Sequence, residues 1–155
     1  MPAPVRRRMR SFGWALLAFA ALVASPRPGG AQARDFEGLA VLANAPGIET
    51  LARREVVQLM RGERALWGGG VAVTVVLPSA RSPLIERVAR DVFGLSKAGL
   101  QRYWLSLVFQ GRATPPAQFE SAEEMVAFVR RTPGAIAVVP APVSEAAQSL
   151  VIRVR

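Results

Sequence analysis

The chain has 155 residues, with 20 Lys and Arg against 11 Asp and Glu for a formal net charge of +9, and it contains no cysteine and no histidine. Those absences exclude disulfides, thiol nucleophiles, a lipid-modified cysteine and histidine-based metal or acid–base chemistry. Five arginines and no acid lie in residues 1–33, so the remainder carries 15 basic against 11 acidic residues, a net +4. The basic excess that would suggest a nucleic-acid partner belongs largely to that leader, and no nucleic acid is expected to bind.

The leader itself reads as a processing signal. Arg6, Arg7, Arg8 and Arg10 form a basic start, Phe12 to Ala24 is an uninterrupted apolar run, and Ala31-Gln32-Ala33 is an A-x-A cleavage pattern. The apolar run has 13 residues, short of the ~20 that a bilayer span requires. A signal peptide over residues 1–33 is expected, cleaved at Ala33 after general secretory export. No stable membrane span should remain after cleavage, and the expected location is periplasmic. Residues 34–155, 122 in number, suffice for one domain.

In chain order, Leu39 to Ala43 (LAVLA) is a short apolar strand followed by an Asn44-Ala45-Pro46-Gly47 turn cluster. Thr50 is expected to cap a helix whose stripe is Ala52, Val56, Leu59 and Met60, with Gly62 closing it. Arg61 to Gly70 links that helix to the next strand, and Trp67 is its expected buried anchor. The glycines Gly68 to Gly70 precede a strand, whereas a phosphate loop leaves a strand and enters a helix, so they are read as a turn. Val71 to Leu77 then forms a β-branched apolar run suited to a strand buried on both faces.

Ile85, Val88, Ala89, Val92 and Phe93 recur at helical spacing, with Gly94 placed to terminate that helix. Ser96 is expected to cap another helix whose buried side is Leu100, Trp104, Leu107 and Val108. At that spacing Trp104 belongs to the core, not to a base-stacking platform. Residues 110–119 read as a loop stiffened by Pro115 and Pro116. Ser121 and Glu124 make a capping box for a helix bearing Met125, Phe128 and Val129. Thr132-Pro133-Gly134 stops it, Ala135 to Val139 is the next strand, and Leu150 to Val154 the last. Helices alternating with short apolar strands indicate an α/β fold: a small, mixed or largely parallel sheet flanked by helices.

Local chemistry suggests a ligand at one place, the turn from Pro78 to Pro83. Ser82 as N-cap and Pro83 as first helical residue would set a helix N-terminus beside the end of the strand. Unpaired amides there, with Arg81 and the hydroxyls of Ser79 and Ser82, would form an anion seat. Catalysis is hard to build: Lys97 is the sole lysine, and the adjacent Glu123 and Glu124 point in different directions on a helix. The expectation is a non-enzyme with neither metal nor cofactor.

The order of a Leu-x-x-x-Glu-Val-x-x-Leu-Met-x-Gly helix (Leu51 to Gly62), Trp67, the VAVTVVLP strand, the Ser79 to Pro83 turn, Tyr103-Trp104, Phe109-x-Gly111, Pro115-Pro116 and Thr132-Pro133-Gly134-Ala135-Ile136 resembles the phosphate-type periplasmic substrate-binding proteins of ABC transporters. More closely, it looks like the short, single-lobe exported proteins related to them. The resemblance implies one lobe of a type 2 periplasmic binding protein. In the full-length family two lobes close on an oxyanion, and a strand-to-helix turn of the form Arg-Ser-x-Gly-Ser-Gly-Thr donates to it. Over Pro78 to Leu84 only the serines Ser79 and Ser82 match. The arginine falls on Pro78, the glycines on Arg81 and Pro83, and the threonine on Leu84.

The resemblance thus implies weak or partner-assisted binding of phosphate or a similar oxyanion at Ser79, Arg81 and Ser82, with an envelope protein or a second copy completing the cleft. The other expectation is a cell-envelope protein–protein interaction module that has lost its solute.

Overall fold

A computed structural model describes residues 36–155; the signal-peptide and cleavage expectations, and the start of the expected domain at Arg34, lie outside the described residues. The elements are β1 (Leu39–Ala43), β2 (Thr50–Leu51), α1 (Arg53–Met60), β3 (Thr74–Pro78), α2 (Ile85–Val88) running into a π-helical turn (Ala89–Phe93), α3 (Lys97–Phe109), β4 (Ala117–Phe119), α4 (Ala122–Arg131), β5 (Ala135–Pro140), a 3-10 helix (Glu145–Leu150) and β6 (Val151–Val154).

The strands form a six-stranded sheet in the order β2-β6-β1-β5-β3-β4. β1 lies antiparallel to β5 and β6, while β3 is parallel to β5 and β4, and β2 is parallel to β6. Five strands therefore share one direction and β1 alone opposes them. This is the α/β sheet that the alternation of helices and apolar runs implies.

Period-two alternation divides the strands between two cores. Val41, Val75, Leu77, Ile136 and Val138 face α1, α2 and α3, where they meet Val56, Leu59, Met60, Ile85 and Trp104. Leu42, Val76, Ala137 and Val139 face the other way, onto Met125 and Val129 of α4 and onto Ala147 and Leu150. Covering both faces is what allows β3 and β5 to be apolar throughout.

Several boundaries differ from expectation, each for a traceable reason. β3 begins at Thr74 because Val71 to Val73 is engaged in a tight reverse turn. There Trp67 N–H donates to the Val71 carbonyl and Val73 N–H to the Ala65 carbonyl, both at 2.8 Å. Thr50 is no cap but part of β2, since Leu51 is buried and its carbonyl accepts from Arg155 N–H at 3.1 Å. The cap is Ala52, whose N–H donates to Glu55 Oε2 at 2.8 Å. α2 begins two residues after Pro83. The stretch 110–119 is not all loop, because Ala117–Phe119 pairs with β3. Other expectations hold: Gly94 ends its helix at φ 68°, Ser96 Oγ accepts from Gly99 N–H, and Ser121 and Glu124 exchange hydrogen bonds.

Tyr103, on the flank of α3, donates its hydroxyl to the Arg61 carbonyl at 2.8 Å. Burial raises its pKa above the ordinary value, with the nearby Arg61 and Arg112 opposing the rise and Glu63 adding to it. A phenol with a raised folded pKa stabilises the fold fully below the unfolded pKa and loses that contribution as pH rises through the folded one. Urea unfolding should find Tyr103→Phe less stable than the parent by about 1 kcal/mol at neutral pH. The gap should narrow above pH about 10, where only the parent has a phenol to ionise. A constant gap across that range would refute the ionisation argument.

Candidate functional site

The Pro78 to Pro83 turn sits where β3 hands over to α2, and Ser79, Arg81 and Ser82 are brought together there. Their groups do not share a common target. Ser79 N–H donates to the Phe119 carbonyl at 2.7 Å and Ser82 N–H to the Ser79 carbonyl at 3.1 Å. Arg81 N–H donates to Ser79 Oγ and Leu84 N–H to Ser82 Oγ, each at 3.3 Å. Ile85 N–H reaches the Ser82 carbonyl at 3.3 Å, and Pro83 has no N–H. The amides of Ser79, Arg81, Ser82, Leu84 and Ile85 are thus all spent within the chain.

Ser82 is 3% exposed and caps the turn from inside. This corrects its expected role: Leu84, not Ser82, is the residue preceding the first helical turn. Arg81 points outward with its side chain 87% exposed and meets Glu120 Oε1 at 3.2 Å. An exposed pair of this kind contributes at most about 1 kcal/mol. What the turn offers to a solute is that guanidinium, the proton of the Ser79 hydroxyl and the N–H of exposed Ala80, which has no acceptor among the described residues.

Beside the turn lies a different kind of surface. The end of β3 and the turn (Leu77, Pro78, Ala80), α3 (Trp104, Leu105, Val108) and the Pro115-Pro116 loop line an apolar groove of about 300 Å³. It forms because α3 is apolar on more than the side that faces the core. Leu100, Trp104 and Leu107 are buried, while Leu105 is 56% and Phe109 82% exposed. Sequence reasoning followed the buried stripe and passed over Leu105, and it met Phe109 only as one of the helix's aromatics and in the Phe109-x-Gly111 pattern. The available signal was a helix with apolar residues nearly all round, which a surface helix normally avoids. The other hollows, such as one of about 430 Å³ between α4 and residues 139–144, lie away from the turn.

Among the described residues, no group of three carboxylates could hold a metal ion, and no helix is long and apolar enough to cross a membrane.

No family model and no curated protein matches the chain. Among solved structures, an ABC-type phosphate transport receptor from Vibrio cholerae is similar at 15% sequence identity and a TM-score of 0.48, over 76% of this chain and 46% of the receptor. The chain therefore spans about half the length of that receptor.

Proposed function

We propose that this protein is an exported, non-enzymatic interaction module, built on a single α/β lobe, whose partner seats in the apolar groove between α3 and the β3–α2 turn. One observation carries the reading: of the turn's N–H groups only that of Ala80 is left without an acceptor among the described residues, while the groove beside the turn is lined by exposed Leu105, with exposed Phe109 one turn further along α3. Exposed apolar side chains in and beside a groove are the usual mark of a docking surface. Oxyanion binding at Ser79, Arg81 and Ser82 is the second reading, favoured by the outward-facing guanidinium of Arg81.

The two separate in one set of measurements on the protein purified from expressing cells, whose N-terminus should be Arg34. A photocrosslinking residue at Leu105 should give a discrete adduct in the cell envelope, and the same residue at the remote, exposed Arg54 should not. Calorimetry with phosphate and with sulfate should show no saturable heat at millimolar anion. Saturable binding that disappears in Arg81→Ala, with no adduct from position 105, would overturn the docking reading in favour of the oxyanion one.

A further inference from the structure

The hollow of about 430 Å³ between α4 and residues 139–144 shares no lining residue with the groove and has a chemistry of its own. From α4 it is lined by Glu123, Val126, Ala127 and Arg130. These stand at i, i+3, i+4 and i+7, so they form one row along the helix. A carboxylate begins the row, a guanidinium ends it, and two apolar side chains lie between. Val139 at the end of β5 and Val143 beyond it add to the apolar lining.

Each end of α4 carries two adjacent like charges, and in each pair one member serves the fold. Glu124 Oε2 accepts from the N–H groups of Glu120 at 3.0 Å and of Ser121 at 3.2 Å. The Arg131 guanidinium lies over the Phe128 ring, 5.5 Å from its centre. The other members, Glu123 and Arg130, are the two that line the hollow. Among the described residues neither forms an ion pair. Arg130 Nη2 donates to the Ala146 carbonyl at 2.6 Å, which steadies the guanidinium and leaves its remaining N–H groups for an anion. The helix dipole favours acids in the first turn and bases in the last. It would be served equally by other positions in those turns, so it does not account for both unpaired charges standing on the row that lines the hollow.

Seven residues of α-helix rise about 10 Å, and an extended chain of about three residues spans a similar length. We infer that the hollow binds a short apolar peptide with free termini, about three residues long: its ammonium meets Glu123, its carboxylate meets Arg130, and its side chains lie against Val126, Ala127 and Val143. The volume is that of a small-ligand site, about 300–1,000 Å³. Each exposed ion pair contributes little alone, so the spacing of the two charges selects the length that engages both. The inference makes no use of the groove and stands independently of the docking reading.

The test is calorimetry of the purified protein with the peptide Ala-Val-Ala, its N-acetyl form and its C-terminal amide. The free peptide should bind saturably at millimolar concentration, and each blocked form should bind about two- to fivefold more weakly. The dipeptide Ala-Ala, too short to meet both charges, should do no better than the blocked forms. Glu123→Gln should weaken the free peptide but not the acetylated one, and Arg130→Gln the free peptide but not the amide. Ala127→Trp, at an exposed position, should fill the hollow and abolish binding. Arg131→Gln, the same charge change one residue on, and Leu105→Asp, in the groove, should leave binding unaltered. Unchanged far-UV circular dichroism and melting midpoints would establish that each variant is folded.

No saturable binding of Ala-Val-Ala would overturn the inference and leave the docking reading untouched. Binding that survives Ala127→Trp, or that is lost in Leu105→Asp, would place the peptide elsewhere and overturn it. Equal binding of the free, acetylated and amidated peptides, abolished by Ala127→Trp, would make the hollow a merely apolar site and overturn the pairing of both termini.

Discussion

Gly134→Ala should be the most damaging conservative substitution in the chain, lowering stability by about 3–5 kcal/mol and leaving little folded protein at physiological temperature. Gly134 joins α4 to β5 at φ 79°, a region that L side chains rarely adopt. A Cβ there would collide with the carbonyl oxygen of Ala72 and stand 2.9 Å from Val71 Cγ1. Moving the chain to relieve the collision is costly, because Gly134 is pinned on both sides. Its N–H donates to the Asn44 carbonyl at 2.7 Å, and its carbonyl accepts from Thr74 N–H at 3.0 Å and from Trp67 Nε1 at 2.9 Å. One residue thereby registers β5 against β1, β3 and the Trp67 turn. Urea unfolding of purified Gly134→Ala, compared with Gly47→Ala, tests this. Gly47 has a similar φ of 78° with no atom within reach of a Cβ, so it isolates the backbone penalty of about 1–2 kcal/mol. Equal losses at the two sites would refute the collision argument.

Features set by neighbours along the chain were legible in the sequence. The Ser121–Glu124 capping box, the helical stripe from Ile85 to Phe93 and the glycine stop at Gly94 each involve residues a few positions apart. Features set by distant pairing were not. Thr50 looks like a helix cap because nothing local reveals that Thr50 and Leu51 pair with Arg153 and Val154. Ala117–Phe119 follows two prolines and carries no apolar run, and it becomes a strand only because β3 presents an open edge. Val71 and Val73 fit a continuous strand by composition, yet the turn at Trp67 to Gly70 folds them back on Ala65 to Trp67.

The candidate site shows the same division. Ser79, Arg81 and Ser82 were found because hydroxyls, a cation and a strand-to-helix turn coincide in a few residues. Whether the Ser79 amide remains free depends on Phe119, in a strand that sequence reading took for loop, while Ser79 and Ser82 themselves take the amides of Arg81, Ser82, Leu84 and Ile85. The groove joins β3, α3 and the Pro115-Pro116 loop, segments separated by up to roughly 40 positions, so no local pattern could announce it.

Trp67→Ala should cost about 3–5 kcal/mol and lower the melting midpoint by roughly 10–20 °C. Trp67 is a buried side chain at the end of a turn that also contains three consecutive exposed glycines, so little else there can collapse into the space left by the indole. Trp67→Phe separates volume from hydrogen bonding. It keeps an aromatic ring but removes the Nε1–H that reaches the Gly134 carbonyl. That carbonyl would still accept from Thr74 N–H, so no buried acceptor is orphaned, and the cost should be about 1–2 kcal/mol. The expected order of stability is therefore parent, then Trp67→Phe, then Trp67→Ala. Because Trp67 and Gly134 share this contact and Val71 lies between them, Trp67→Ala and Gly134→Ala should be non-additive, the double variant losing less than the sum of the singles by about 0.5–3 kcal/mol. Where the singles are too unstable to measure, Trp67→Phe with Gly134→Ala in stabilising osmolyte gives the same cycle with the smaller of the two Trp67 changes. Strict additivity would mean that the Trp67 turn and the α4–β5 junction hold the sheet independently. Coupling would mean that they act as one clamp on the strand leading into the β3–α2 turn.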